Sequence, residues 1–187
     1  EFISRAMQEN TPPATLELAV GFEAFDDDIR NRVFGKGLAL ETFERLVKDA
    51  APSGYRIKCY FMQKPVPGLG DDDAVADIHR GIDYLARLAA GHRVGFNLHL
   101  NPTYVARGTR LEKDFASGAY VPPRLRDVAR AALHARGKDL TIYLGLSDEG
   151  MAVPGGSFLR PGEEELVRRL EEFNRTQDFG ILETICG

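Results

Sequence analysis

The sequence predicts an α/β fold, a partial parallel (β/α) barrel of TIM-like type, on three observations. Segments 16–23, 56–64 and 94–101 alternate apolar residues with polar or small ones, the period of a strand with two different faces. Long stretches with helical spacing separate them, and parallel neighbours need such crossovers where antiparallel ones do not. The polar set of each segment also carries groups able to bind or react: Glu17, Gly21 and Glu23, then Lys58, Tyr60, Met62 and Lys64, then Gly95, Asn97, His99 and Asn101. Strand side chains point alternately to opposite faces, so helices cover the apolar set and the polar set faces inward.

The elements follow in chain order. Leu16, Leu18, Val20 and Phe22 are the apolar set of the first strand. Asp26-Asp-Asp28 opens a short segment to residue 34, Gly35-Lys-Gly37 reads as a turn between helices, and a helix over 40–50 groups Phe43, Leu46 and Val47 on one side. Ile57, Cys59 and Phe61 are the apolar set of the second strand. From Asp71-Asp-Asp73 a helix runs to about residue 90 with Val75, Ile78, Ile82, Leu85 and Leu88 in helical phase. Both aspartate triplets suit the positive end of a helix dipole and read as helix capping before cation binding. Val94, Phe96, Leu98 and Leu100 face the third strand's core. A short helix near 110–115, a helix over 125–135, a strand over 140–146 and a charged helix over 162–174 follow. In a parallel barrel, active groups sit at the carboxyl ends of strands, which here read Gly21-Phe-Glu23, Lys64-Pro-Val-Pro67 and His99-Leu-Asn-Pro102.

A chain of 187 residues, 43% of them hydrophobic, can bury one substantial core. A net charge of −4 gives no global drive toward nucleic acid, and Arg107, Arg110, Arg124, Arg126 and Arg130 are scattered. Cys59 and Cys186 cannot make a disulfide framework, and no three-cysteine cluster motif occurs. With no long apolar span or signal sequence, a cytoplasmic protein without membrane contact is expected.

Several segments, taken in order, resemble the rear half of a radical S-adenosylmethionine (SAM) domain of the elongator catalytic subunit and methylthiotransferase type. They are Gly21-Phe-Glu23, Ile29-Arg-Asn-Arg-Val-Phe-Gly-Lys-Gly37, Lys58-Cys-Tyr-Phe-Met-Gln-Lys-Pro65 and the acidic helix start. Asn101-Pro-Thr-Tyr-Val-Ala-Arg-Gly-Thr109 and Tyr120-Val-Pro-Pro123 are similar to signatures of the archaeosine synthase radical SAM subunit group. The resemblance covers residues 1–135, which it identifies as the second half of such a barrel, leaving 136–187 as a small C-terminal α/β extension packed on it. It further implies that this chain, opening Glu1-Phe-Ile3, lacks an N-terminal half with three strands and the cysteines of a four-iron four-sulfur cluster. In the complete enzyme the cluster would reduce bound SAM to methionine and a hydrogen-abstracting 5′-deoxyadenosyl radical, acting on a nucleoside or RNA. This chain alone would be inactive.

On that resemblance the cofactor-binding candidates are Gly21, Glu23, Lys58, Tyr60, Lys64, Asn97, His99 and Asn101, with no metal ligand among them and no catalytic residue assigned. Glu23 would accept from SAM ribose hydroxyls or its amino group, or else form a structural ion pair. Gly21 would let the cofactor approach the backbone. Lys58 and Lys64 would meet the SAM carboxylate or a substrate anion, or pair with an acid such as Glu17 or Glu23. Asn97, His99 and Asn101 would line the adenine or substrate pocket, His99 as a hydrogen-bonding wall residue. Two other readings stand beside this one. A cofactor-free half barrel binding RNA or a partner protein would expose its edges and associate with a partner or as a homodimer. A metal-free barrel enzyme would use Glu23 and Lys58 as acid and base.

Overall fold

The computed structural model describes residues 2–11 and 14–187. Glu1, Pro12 and Pro13, and with them parts of the chain start and of the turn-rich stretch near residue 12, lie outside the described residues. Four strands form one sheet: β1 (Glu17–Glu23), β2 (Arg56–Gln63), β3 (Phe96–Pro102) and β4 (Thr141–Leu144). They pair in sequence order and every pair is parallel, as the crossover argument requires. The alternation sets the faces. Val20, Cys59, Leu98 and Ile142 stand side by side in register, and Phe61, Leu100 and Leu144 form the next row.

Helices cover that apolar face. α2 (Leu40–Ala50) buries Phe43, Val47 and Ala50, and Phe43 meets the Phe22 ring edge-on at 4.7 Å while Phe22 stacks on Phe61 at 5.1 Å. α3 (Asp71–His92) buries Val75, Ile78, Ile82, Leu85 and Leu88, the residues in helical phase. α5 (Leu125–Leu133) and α6 (Glu164–Thr176) complete the layer over β3 and β4. Three shorter helices are α1 (Phe2–Glu9), α4 (Arg110–Ala116) and α7 (Phe179–Cys186); the first and last, of eight residues each, are too short to stand out in the sequence. Asp178 caps α7 by accepting from Gly180 N at 2.9 Å. From residue 136 onward the chain contributes β4 to this same sheet and Ile142, Phe158, Leu170, Phe173, Leu182 and Ile185 to this same core.

The aspartate triplets divide. Asp26 does cap locally, its Oδ1 accepting from Ile29 N at 3.0 Å before the π-helical turn Asp28–Val33. At α3 the N-cap is Gly70, and the aspartates occupy the first helical turn, Asp71 paired with Lys64 and Asp72 with Arg130.

The outer edge of β4 is closed by two side-chain amides from the end of α6. Asn174 accepts from Leu144 N and donates to Leu144 O, both at 2.8 Å. Gln177 accepts from Ile142 N at 3.0 Å and donates to Ile142 O at 2.8 Å. Each amide presents the donor and acceptor that a neighbouring strand would.

Between α3 and the end of α5, the His79 and His134 rings stack with centroids 4.1 Å apart. His134 Nε2 lies 3.0 Å from Asp83 Oδ1, which also takes Lys138 at 3.2 Å, and His79 Nε2 faces the Arg130 carbonyl. Burial, then the charge of His134, holds the His79 imidazole below its usual range. The fold therefore favours neutral His79, and its stabilising contribution is complete above the unfolded value of about 6.5 and lost as pH falls through the folded one. Melting temperature should be nearly flat from pH 8 to 7 and fall below pH 6.5, less steeply in His79→Gln. Parallel profiles for the two proteins in thermal melts would place the titrating group elsewhere.

Candidate functional site: a cavity at the carboxyl ends of the strands

The face away from the helices carries the polar set in register. Ala19, Lys58, Asn97 and Thr141 form one row, Gly21, Tyr60, His99 and Tyr143 the next, and Met62 stands beside Asn101 above them. At the carboxyl ends lies a cavity of about 590 Å³. Glu23 lines it from β1, Tyr60 and Met62 from β2, and His99, Asn101 and Pro102 from β3. Thr103, Tyr104 and Ala106 follow, and Gly145, Ser147 and Glu149 close it beyond β4.

Glu23 is aimed by a local irregularity. The register of β1 on β2 slips between Gly21 and Glu23, and Glu23 adopts φ +63°, a left-handed conformation that costs a non-glycine residue about 1 kcal/mol. Its Oε1 meets Lys36 Nζ at 2.5 Å. The pair lies over the backbone of Gly21, where a Cβ would stand 2.8 Å from Oε1 and 3.0 Å from Nζ. Lys36 is the middle of the Gly35-Lys-Gly37 turn, whose glycines take φ +63° and +59°.

The loop that delivers Lys36 is built around a buried charge. Arg30 is 1% exposed, and its guanidinium donates to Phe25 O at 2.5 Å, Leu38 O at 2.9 Å and Asp27 Oδ1 at 2.7 Å. Asn31 accepts from Leu38 N and donates to Leu38 O. From α3, Asp77 accepts from Phe25 N and Asp26 N at 2.8 Å each. Both ends of the loop are thereby fixed.

Three rings stand in one row. Tyr60 stacks on His99 at 4.9 Å and Tyr143 tilts against it at 4.6 Å. Burial and then the charge of Lys58 hold His99 below the usual histidine range, so its imidazole is neutral at pH 7. His99 Nδ1 and Asn97 Oδ1 are buried without a protein partner, which leaves both to a ligand or ordered water. Asn97 Nδ2 donates to Thr141 Oγ1 at 2.9 Å. Gly145 is small because Asn101 occupies its side-chain space: a Cβ there would overlap Asn101 Oδ1 and lie 3.4 Å from His99 Nε2.

Of the residues singled out in the sequence, Glu23, Tyr60, His99 and Asn101 share this cavity and Gly21 underlies its Glu23 corner. Lys58 and Asn97 line a smaller cavity of about 280 Å³ with Glu17, His99 and Tyr143. Lys58 Nζ is paired with Glu17 at 3.0 Å, a hydrogen bond that raises its pKa. Lys64 stands apart from both cavities. The strand stops at Gln63, Lys64 turns to φ +57°, and its ammonium pairs with Asp71 at 2.6 Å. Lys36, Thr103, Tyr104, Ser147 and Glu149 were not picked out as site residues; Lys36 left a signal in the two glycines flanking it, and Thr103 and Tyr104 in the 101–109 segment that carries the resemblance.

Among the described residues no group of three histidine, cysteine or acidic side chains could hold a metal ion. Cys59 is buried on the helix-covered face, where burial pushes its thiol up, and Cys186 is exposed on α7. No helix is long and apolar enough to cross a membrane among those residues.

Fold and site define a parallel α/β protein with a polar ligand cavity where its strands end. No family model matches the chain. Its fold is similar to that of N-terminally deleted Elp3 from the archaeon Methanocaldococcus infernus, with a TM-score of 0.58 and 15% identity over 94% of this chain and 38% of that one. It is 22% identical over 183 residues to archaeosine synthase subunit beta of Thermococcus kodakarensis, 97% of this chain and 54% of that protein. An uncharacterized protein of Methanocaldococcus jannaschii is 24% identical over 174 residues, 91% of this chain and 46% of its own length. The chain thus spans about half the length of the curated relatives it matches. The resemblance to the elongator and archaeosine synthase group is borne out on both counts.

Proposed function

We propose that this chain forms the SAM-facing half of a radical SAM enzyme that modifies a nucleoside in tRNA, in the cytoplasm. The observation that carries the reading is the cavity of Glu23, Tyr60, His99 and Asn101 on the open polar face, with the buried His99 Nδ1 left unpartnered, in a chain related to archaeosine synthase subunit beta. The sequential strand order and one-sided helical cover support a barrel arc over a doubly wound sheet, which reverses its order and carries helices on both faces.

The residues fit the nucleoside part of SAM. Glu23 accepts from hydroxyl or amine donors, His99 offers its unpartnered Nδ1, and Tyr60 and Met62 supply apolar wall. They do not fit a four-iron four-sulfur cluster, because Cys59 and Cys186 are two thiols in separate places. Its thiolates would come from a second barrel half, in the same polypeptide or a partner subunit. When bound, SAM at such a cluster supplies hydrogen-atom abstraction; this chain's part is to orient the adenosyl group and keep water from it.

The protein isolated from its source without oxygen should have a mass well above 20.7 kDa and carry iron and sulfide. A native mass equal to this chain, with no iron, would make it a binding module and remove the inherited chemistry.

A further inference from the structure

A further cavity of about 300 Å³ lies in the helical layer, where the start of α5 and the first half of α6 meet the end of α7. It shares no lining residue with the two cavities of the polar face. Two arginines line it, and each is tethered to a carbonyl of α7. Arg126 Nη1 donates to Ile185 O at 2.7 Å, and Arg169 Nη2 reaches Ile181 O at 3.4 Å. Neither guanidinium makes an ion pair among the described residues, so both keep charge-bearing N–H groups for an anion.

The two carboxylates beside them differ. Glu165 is taken by Arg168 in a two-point contact at 2.9 and 2.6 Å. Glu163, the residue before α6, has its Oε2 buried without a protein partner. A carboxylate oxygen accepts a hydrogen bond and cannot donate one, and a buried acceptor with no donor is costly to keep. Two cations and one unmet acceptor therefore face a single space, a combination that a bare anion leaves half satisfied.

We propose that this cavity binds an oxyanion that still carries a proton, namely hydrogen phosphate. Its charged oxygens take the Arg126 and Arg169 guanidiniums, and its P–OH donates to Glu163 Oε2. The positive end of α6 opens on the same space and adds to the attraction. Glu163 makes the site selective. Sulfate has the same shape but no proton to offer, so it meets the carboxylate as an uncompensated repulsion. The site is independent of the reading given to the strand-end cavity.

Calorimetric titration in a buffer free of both anions, with sodium phosphate and sodium sulfate compared at equal ionic strength, tests this. Phosphate should bind about tenfold or more tighter than sulfate, the effect of one hydrogen bond to a charged group. Arg169→Met should weaken phosphate about tenfold. Glu163→Gln supplies an amide donor where the carboxylate stood, so sulfate should now bind within about twofold of phosphate. If the unaltered protein binds the two anions alike, or binds no phosphate, the proposal fails, and this comparison decides even where a variant does not fold. If Arg169→Met leaves phosphate affinity unchanged, the anion sits elsewhere and the proposal fails. If Glu163→Gln keeps the preference for phosphate, Glu163 does not read the proton and the assignment is overturned.

Discussion

Arg30→Ala should lower the melting temperature by about 6–12 °C, from a loss of about 3 kcal/mol in a chain of this size. The guanidinium is 1% exposed and serves Phe25 O, Leu38 O and Asp27 at once. Removing it takes the arginine donor from Phe25 O, leaves Leu38 O with Asn31 in place of two side-chain donors, and opens a void beside Phe22, over whose ring the guanidinium carbon lies at 5.9 Å. Arg30→Lys should recover little, because a single ammonium cannot span three acceptors in the directions that the planar fork reaches. The Gly35-Lys-Gly37 turn should loosen in both variants, seen as faster amide hydrogen exchange from residue 35 to 38. A melt within 2 °C of the parent would mean that solvent replaces the arginine and that the loop is not built around it.

Gly145→Ala should show the opposite balance, with little change in stability and a large change in binding. A Cβ at 145 claims the space of Asn101 Oδ1 and approaches Asn101 Cγ at 3.2 Å. The Asn101 side chain can rotate away, so the cost to folding stays near 1 kcal/mol. Rotation takes its amide out of the cavity wall, and affinity for S-adenosylhomocysteine should fall about tenfold. Asn101→Ala should give a similar loss, and the double variant no more than either alone, since both changes remove the same group. Additive losses would show that Gly145 acts on the cavity by another route.

Much of this architecture was legible because burial on one face writes itself into a strand at period two. Val20, Cys59 and Leu98 declared the core face and Glu17, Lys58 and Asn97 the other, and the register confirms both sets. The same rule misplaced Lys64. Continuing the alternation past Gln63 puts it on the inner face, but the backbone leaves the strand there with φ +57° and hands the lysine to Asp71. Lys36 was hidden for a related reason, since its contact with Glu23 depends on a slipped register and a loop closed by a buried arginine. Alternation reports neither. Tyr104, Ser147 and Glu149 lie on loops, which have no period to read. α7 was missed because eight residues containing a glycine leave no helical stripe.

The amides of Asn174 and Gln177 give the sheet a direction of growth. With the Ile142 and Leu144 backbone already satisfied, no strand can be added beyond β4, while the far side of β1 carries no paired strand among the described residues. The molecule is a one-ended building block. Any strand added to this sheet would join beside Glu17–Glu23. Two copies meeting through that edge use up both open ends, so self-association stops at a pair, where a sheet with two open edges could polymerise without limit.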